Sequence, residues 1–375
     1  MTADRGRRVA LEVRDLVARR GRGARAFALR VDELVLHRGE TLVIMGPNGA
    51  GKTTLLYALA GLDGRIGAGP DPGAGPVTLV FQRPAAFSGS VAHNVRTALL
   101  GSGASRPERD RRVAAALERF GMLELADRDA HRLSGGELRR LALARALVLE
   151  PSVLLLDEPF DDLDGEGQRR LTLDLQRTVA ETDLALVVVT HDLRRGLLLA
   201  DRLAVLGRGR IEQSGARDDV LLHPCSPEVA RTVGMTNLAE GRVVREDTGR
   251  LVVEVAPDLV VPVQAGPEPG ERVWLGIRPE HLQLDVGRGG GARIGEATVR
   301  ALVDDGLVTI VTLSTAGPDW TTHLLAGRGL ARRLSIGEVV PLAVHPERVH
   351  GRPIAAGLEA PTARPVVRDE ARRGA

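Results

Sequence analysis

A glycine-rich loop between an apolar run and a helical pattern constrains this chain more than any other feature. The apolar run is Thr41–Met45, and the helical pattern is Thr53–Ala60. The loop between them reads Gly46-Pro47-Asn48-Gly49-Ala50-Gly51-Lys52-Thr53-Thr54, which fits G-x-x-x-x-G-K-[ST]. Glycines let successive backbone N–H groups converge on phosphate oxygens, and a helix N-terminus adds partial positive charge. The segment, called the phosphate loop below, therefore predicts a nucleotide site in an α/β domain.

Two side chains of the phosphate loop have distinct predicted roles. Lys52 is expected to reach the β- and γ-phosphates, and the Thr53 hydroxyl to bind Mg²⁺. Lys52 is also the only lysine of the chain, whereas arginine fills every other Lys or Arg position. A compact ammonium on a long stem fits inside a tight loop where a planar guanidinium does not. The retained lysine is consistent with the predicted role.

A second apolar run ends in an acidic pair. Val153–Leu156 reads as a buried strand, and Asp157 and Glu158 follow it directly. A carboxylate at the end of such a strand can hold Mg²⁺, which we predict for Asp157. Glu158 is then placed to act as a general base on the attacking water. Acidic residues after strands are also common helix caps, so this pair alone does not decide the class.

The segment Leu133-Ser134-Gly135-Gly136-Glu137, before a helical pattern, resembles the LSGGQ or LSGGE signature of the ABC ATPase family. In that family the serine and glycines bind the γ-phosphate of ATP held by the opposite subunit. The resemblance therefore implies that Ser134, Gly135, Gly136 and Glu137 contact a nucleotide bound in trans. A helix start of this kind is also a physically suitable anion site.

Three further family motifs appear in the family's order. Gln82 matches the Q-loop glutamine, Asp164 matches the D-loop, and His191 matches the switch histidine. The resemblance implies that Gln82 touches Mg²⁺ and the water, that Asp164 lies across a dimer interface, and that His191 contacts the γ-phosphate. With Lys52 and Glu158 these residues form the predicted catalytic set.

The chain also departs from the family. The aromatic residue that stacks on adenine is missing near Arg19 and Arg20, and either Arg20 or Phe27 can take its place. Arg139 stands where glutamine is common. A Gly/Pro-rich loop, Asp63–Pro76, replaces the usual β-hairpin. None of these changes removes a catalytic group, so we expect an active site.

Domain organisation follows from a change of pattern near residue 236. Residues 1–235 alternate strand and helix patterns, which predicts a P-loop ATPase core with a helical subdomain at about 84–149. From Asn237 onward short β-branched runs recur between turn signals, which predicts a small all-β domain at 236–358. Within it, Gly276-Ile277-Arg278-Pro279-Glu280-His281 resembles the motif of the OB-like TOBE domain of importer ATPases. We expect residues 359–375 to be a disordered tail.

Composition narrows the partners. No apolar run approaches the ~18 residues that span a bilayer, and the basic N-terminus lacks a signal-peptide core. The net charge of +2 argues against a nucleic-acid partner, and Cys225, the only cysteine, cannot form an internal disulfide. The family resemblance implies ATP and Mg²⁺ as cofactors and a second copy of the chain as partner. It also implies two permease subunits, an extracytoplasmic solute-binding protein reached indirectly, and a location on the cytoplasmic face of the membrane.

The leading hypothesis is an importer ATPase that drives solute uptake. Several segments resemble tungstate and molybdate importer ATPases: Val80–Pro84, Phe87–Val91 and Asn94-Val95 around the Q-loop, Val31–Gly39 before the phosphate loop, and Val233–Leu238. Sulfate, polyamine, sugar or iron import are the alternatives. A non-transport ABC ATPase and a mainly ligand-sensing module are less favoured, because the chain has one cassette and an intact Glu158. For oxyanion sensing, neutral donors are available at Ser314, Thr315, Thr321 and Thr322, although exposed strand hydroxyls are the simpler interpretation.

Overall fold

The computed structural model describes residues 8–20, 27–62, 76–246, 248–264, 267–284, 291–325 and 333–354. The chain divides into two compact units, Met1–Met235 and Thr236–Ala375.

The first unit is built on one eight-stranded sheet. Its strands are β1 (Val9–Arg20), β2 (Phe27–His37), β3 (Thr41–Met45), β4 (Val77–Val80), β5 (Val153–Asp157), β6 (Ala185–Val189), β7 (Arg202–Gly207) and β8 (Arg210–Ala216). Their order is β1-β2-β8-β7-β3-β6-β5-β4. Strands β7, β3, β6, β5 and β4 are parallel neighbours, whereas β1 pairs antiparallel with β2, and β8 pairs antiparallel with β7.

The central strands are apolar along their whole length. Every residue of β3, β5 and β6 is buried, which is expected when helices cover both faces of a parallel sheet. Two apolar clusters fill the unit, one of which includes Leu42 and Leu155 and the other Val43 and Leu154. Because successive strand residues point to opposite faces, adjacent positions of one strand enter different clusters.

Eight α-helices lie in the described part of this unit. They are α1 (Lys52–Leu59), α2 (Val91–Ala98), α3 (Arg106–Arg119), α4 (Gly135–Leu147), α5 (Gly165–Thr182), α6 (Leu193–Leu199), α7 (Arg217–Leu222) and α8 (Pro227–Thr232). Short 3-10 turns lie at Leu123–Leu125 and Ala130–Arg132. Side-chain caps begin α2, α3, α4 and α5, where Ser90, Ser105, Ser134 and Asp164 each accept a hydrogen bond from a backbone N–H of the first turn.

The second unit is β-rich. Its strands are β9 (Asn237–Arg245), β10 (Leu251–Ala256), β11 (Leu259–Pro262), β12 (Arg272–Ile277), β13 (Gln283–Leu284), β14 (Ala292–Asp304), β15 (Val308–Ser314), β16 (Trp320–Leu325), β17 (Val339–Val344) and β18 (Val349–Pro353). They form two antiparallel sheets, β11-β10-β9-β12-β18 and β13-β17-β14-β15-β16. One apolar cluster takes residues from both sheets, including Val253 and Val311.

The fold class agrees with the sequence prediction, an α/β P-loop core followed by a β-rich domain. The predicted strands and helices appear with small shifts at their ends. Strand β5 runs one residue beyond the predicted end at Leu156, and α1 begins and ends one residue before the predicted Thr53–Ala60. The loop prediction at Asp63–Pro76 falls on residues 63–75, outside the described residues, as does the predicted tail. Among the described residues, no helix combines the length and apolar character that a membrane crossing needs.

Candidate nucleotide-binding site

The predicted site residues gather where the parallel strands end. The phosphate loop follows β3, Gln82 follows β4, the pair Asp157-Glu158 ends β5, and His191 follows β6. Since neighbouring parallel strands finish at the same edge of a sheet, four sequence segments meet there. This edge is the usual ligand position in open α/β sheets.

At two positions of the phosphate loop, any side chain larger than that of glycine would collide with a neighbour. Gly46 has φ +152°, and a Cβ there would lie 2.1 Å from the carbonyl oxygen of Leu206. Gly51 has φ +105°, and a Cβ there would lie 2.6 Å from the Phe27 ring. The loop therefore lies against the backbone of β7 on one side and against Phe27 on the other.

The Lys52 side chain folds back across the loop. Its Nζ donates to the carbonyl oxygens of Gly46 at 2.8 Å and Pro47 at 3.2 Å. Only 8 % of Lys52 is exposed. Because Lys52 is also the first residue of α1, its ammonium and the free N–H groups of the helix N-terminus occupy the same end of the helix.

Thr53 and Asp157 form a pair of oxygen ligands. The Thr53 hydroxyl donates to Asp157 Oδ1 at 3.3 Å, and Asp157 is 3 % exposed. Burial raises the pKa of the Asp157 carboxyl, while the Thr53 hydrogen bond and the Lys52 charge oppose that rise. A buried carboxylate beside a hydroxyl suits Mg²⁺, which prefers hard oxygen ligands, and a bound cation would favour the ionised carboxylate.

Glu158 and His191 are joined directly. Glu158 Oε2 accepts from the backbone N–H of His191 at 3.1 Å and lies 3.0 Å from His191 Nδ1. Glu158 adopts a left-handed backbone with φ +44°, which is uncommon for a residue other than glycine. Its own N–H donates to the carbonyl of Val189 at 2.9 Å, so β6 fixes this unusual conformation.

Gln82 is placed by a partner that the sequence motifs did not indicate. Its Nε2 donates to Asp161 Oδ2 at 2.9 Å, and Asp161 Oδ1 lies 4.0 Å from His191 Nδ1. Glu158, Asp161 and His191 bring ligand atoms within 4.8 Å of one another. The acidic run Asp161-Asp162 after Glu158 is the sequence signal from which Asp161 could have been found.

The signature segment begins α4 with a reciprocal cap. Ser134 Oγ accepts from the N–H of Glu137, whose carboxylate accepts from the Ser134 N–H at 2.7 Å and hydroxyl at 2.9 Å. The bond from the Ser134 backbone is the main reason why the pKa of Glu137 is lowered. A Cβ on Gly135 would meet nothing within 4 Å, so an anion could approach this helix start.

Asp164 caps α5 by accepting from the Gly167 N–H at 2.7 Å. The signature segment and the residues around Asp164 line one cavity of about 410 Å³. Arg139 contributes to its wall although the residue is only 4 % exposed, and its Nη2 donates to the Asp161 carbonyl at 3.3 Å. Arg139, a departure from the family pattern, thus joins α4 to the segment after β5.

Phe27 is one of the two candidates for stacking on adenine. Its ring is partly buried and packs against the phosphate loop at Gly51. Arg19 is exposed, and the side chain of Arg20 lies outside the described part of the chain.

Comparisons with known proteins agree with this geometry. A family model described as ABC transporter matches residues 29–161, and a TOBE domain model matches residues 275–351. The spermidine/putrescine import ATP-binding protein PotA of Oleidesulfovibrio alaskensis is 36 % identical over 69 % of this chain and 73 % of its own. The sn-glycerol-3-phosphate import ATP-binding protein UgpC 1 of Rhizobium johnstonii is 33 % identical over 85 % of this chain and 88 % of its own.

A solved structure is similar to this chain as well. It is CbiO1 of Clostridium perfringens, part of the ABC transporter complex CbiONQ, with 29 % identity and a TM-score of 0.50. The match covers 61 % of this chain and 96 % of that one. The chain therefore belongs to the ATP-binding proteins of ABC transporters, as an ABC-type ATPase followed by a TOBE domain.

Proposed function

We propose that this chain is the ATP-hydrolysing subunit of an ABC importer, which acts as a pair of copies on two membrane permease subunits. The observation that carries the proposal is the convergence at one sheet edge of Lys52, the Thr53–Asp157 pair and the Glu158–His191 pair. Lys52 supplies a positive charge for the phosphates, the Thr53–Asp157 pair supplies oxygen ligands for a metal ion, and the Glu158–His191 pair supplies a base. An imported solute would reach the permeases from an extracytoplasmic binding protein.

The residues divide the reaction between them. The backbone of the phosphate loop and Lys52 Nζ hold the β- and γ-phosphates, after Nζ exchanges its carbonyl contacts for phosphate oxygens. Thr53, Asp157 and Gln82 would hold Mg²⁺, which when bound neutralises charge that develops on the γ-phosphate. Glu158 accepts a proton from the attacking water, and His191 orients the carboxylate and contacts the γ-phosphate.

The signature segment acts in the opposite copy. Ser134 and the first N–H groups of α4, at Gly135 and Gly136, form an anion site. Glu137 fixes Ser134 through the reciprocal cap, and Asp164 fixes the neighbouring start of α5. We infer that ATP joins two copies by lying between the phosphate loop of one and the signature segment of the other.

Import as the direction of transport is supported by the TOBE match and by the relatives, which are named for import of polyamines and of glycerol-3-phosphate. These names do not support the tungstate or molybdate cargo predicted from segment resemblance. Two of the four hydroxyls suggested for oxyanion sensing are also used within the fold. Thr315 donates to the Pro318 carbonyl, and buried Thr322 donates to the Leu282 carbonyl.

The transported solute can be identified by comparing uptake of several solute classes. Uptake of spermidine, glycerol-3-phosphate, molybdate and tungstate should be measured in the native cell with and without this chain. Loss of polyamine or glycerol-3-phosphate uptake alone would reject the oxyanion prediction, and loss of molybdate or tungstate uptake would support it. A Glu158→Gln copy should fail to restore whichever uptake is lost.

ATPase chemistry is tested on the purified chain by Glu158→Gln. The substitution keeps the size of the side chain and removes the base, so ATP binding should persist while turnover falls by roughly 10²-fold or more. His191→Asn should also lower turnover. Wild-type turnover in Glu158→Gln would contradict the assigned base.

A further inference from the structure

Asp161 belongs to none of the sequence motifs, yet it lies between residues of three of them. Its Oδ2 accepts from Gln82 Nε2 at 2.9 Å, and its Oδ1 is 4.0 Å from His191 Nδ1. His191 in turn contacts Glu158 at 3.0 Å. The carboxylate of Asp161 thus connects the glutamine that follows β4 with the pair that follows β5 and β6.

The backbone of Asp161 is held on both sides. Its N–H donates to the Glu158 carbonyl at 3.3 Å, and its own carbonyl accepts from Arg139 Nη2 at 3.3 Å. Arg139 is almost fully buried, so this anchor is shielded from water. The Asp161 side chain is 27 % exposed. Asp161 is therefore a fixed point beside Gln82, which lies on an exposed segment.

The chemistry of an amide gives this contact a consequence. The Gln82 amide has a donor end, Nε2, and an acceptor end, Oε1, whereas an ionised carboxylate only accepts. If the amide were flipped, Oε1 would face Asp161 Oδ2 and two acceptors would meet. Asp161 therefore selects the orientation in which Oε1 stays free. Oxygen is the atom that Mg²⁺ and a water proton require.

We propose that Asp161 is a positioning residue that fixes the Gln82 amide with Oε1 available to Mg²⁺ and the attacking water. The inference rests on the proposed function, in which Gln82 is a metal ligand. A carboxylate behind a metal ligand commonly contributes 10–100-fold to metal affinity. Asparagine at position 161 would lose this selection, because its own amide can present either a donor or an acceptor to Gln82.

The test is Mn²⁺ binding by electron paramagnetic resonance to the full chain with a non-hydrolysable ATP analogue. Mn²⁺ takes the same oxygen ligands as Mg²⁺. Asp161→Asn should weaken Mn²⁺ binding by about tenfold, while analogue binding in EDTA stays unchanged. Asp162→Asn is the matched control. It removes the same charge from the next, exposed residue, whose φ of +60° asparagine tolerates, and it should leave Mn²⁺ affinity unchanged.

A second pair of variants tests whether Asp161 acts through Gln82. In a Gln82→Ala chain, Asp161→Asn should add no further loss of Mn²⁺ affinity. A full additional loss would overturn the positioning role, as would unchanged Mn²⁺ affinity in Asp161→Asn alone. If the wild-type chain bound the analogue without any Mn²⁺ at the site, the proposed metal set itself would fail. The two failures are therefore distinguishable.

Discussion

At the scale of single residues, the position of Lys52 explains why one lysine persists in an arginine-rich chain. Its Nζ reaches two loop carbonyls while the residue stays 92 % buried, which leaves little room for a guanidinium. An ammonium in this position can exchange those carbonyls for phosphate oxygens. Arginine would need a wider opening for its planar group.

We therefore predict that Lys52→Arg is nearly as damaging as Lys52→Ala. Each should lower ATP turnover by roughly 10³-fold or more, because a charge contact to the transferring phosphate is lost or misplaced. Turnover should be measured on purified protein, with circular dichroism melting curves as the check on folding. A Lys52→Arg chain with wild-type turnover would contradict the steric argument.

The motif residues were predictable from sequence because local spacing fixes their chemistry. A strand, a glycine loop and a helix start suffice to place Lys52 and Thr53. The Gln82–Asp161 contact was not predictable, because it joins residues that are far apart in the chain and depends on side-chain direction. The internal use of Thr322 was missed for the same reason: alternation along β16 gives its face, but not the carbonyl that it meets.

At the scale of elements, strong local patterns were read correctly and weak ones were not. The buried strands β3 and β5 are continuous apolar runs, and both were predicted. The β1–β2 pair went unread, because one face is exposed and charged residues interrupt the alternation. Strands β13 and β18 were also missed, since β13 spans two residues and β18 contains Gly351 and ends in Pro353. Pairing with longer strands stabilises both.

Thr322 links β16 to the turn before β13, which yields a stability prediction. Thr322→Val keeps the shape but removes the donor to the buried Leu282 carbonyl, so the free energy of unfolding should fall by about 1–3 kcal/mol. Thr321→Val, at the half-buried neighbouring position, should change it much less. Trp274 and Trp320 are the only tryptophans and both belong to the second unit, so fluorescence during urea unfolding of the full chain reports on that unit. Equal effects of both substitutions would contradict this argument.

His281 gives the second unit a pH dependence. Burial lowers the pKa of its imidazole below the ordinary value of 6.5, with Glu280 opposing and Arg348 and Arg278 assisting. The unfolded chain therefore binds more protons just below pH 6.5, so stability should rise with pH through that window and level off above it. Tryptophan-monitored urea unfolding at several pH values should show a shallower rise for His281→Gln. Identical slopes for the two chains would reject His281 as the source.

At the scale of the whole molecule, the proposed role of the signature segment requires a second copy. Under that proposal the anion site at the start of α4 receives the phosphate of ATP that is bound to the other chain. A substitution at Gly135 can block that site without disturbing its neighbours. A Cβ at this position meets nothing within 4 Å, and an acidic residue in the first turn favours a helix. Gly135→Asp should thus leave the fold intact while repelling the γ-phosphate.

The final prediction uses Glu158→Gln, which we expect to bind ATP and to turn it over very slowly. One chain has a mass of 40.0 kDa. In size-exclusion chromatography this variant should elute as a dimer with Mg²⁺ and ATP, and as a monomer without ATP. Adding Gly135→Asp should keep the chain monomeric even with ATP. ATP affinity at the phosphate loop should stay the same, because the repulsion arises only when two copies close on the nucleotide. Gly135→Ala in the same background is the control and should still dimerise. A dimer with Gly135→Asp would show that the copies meet elsewhere, and a monomer in all three chains would contradict closure by ATP alone.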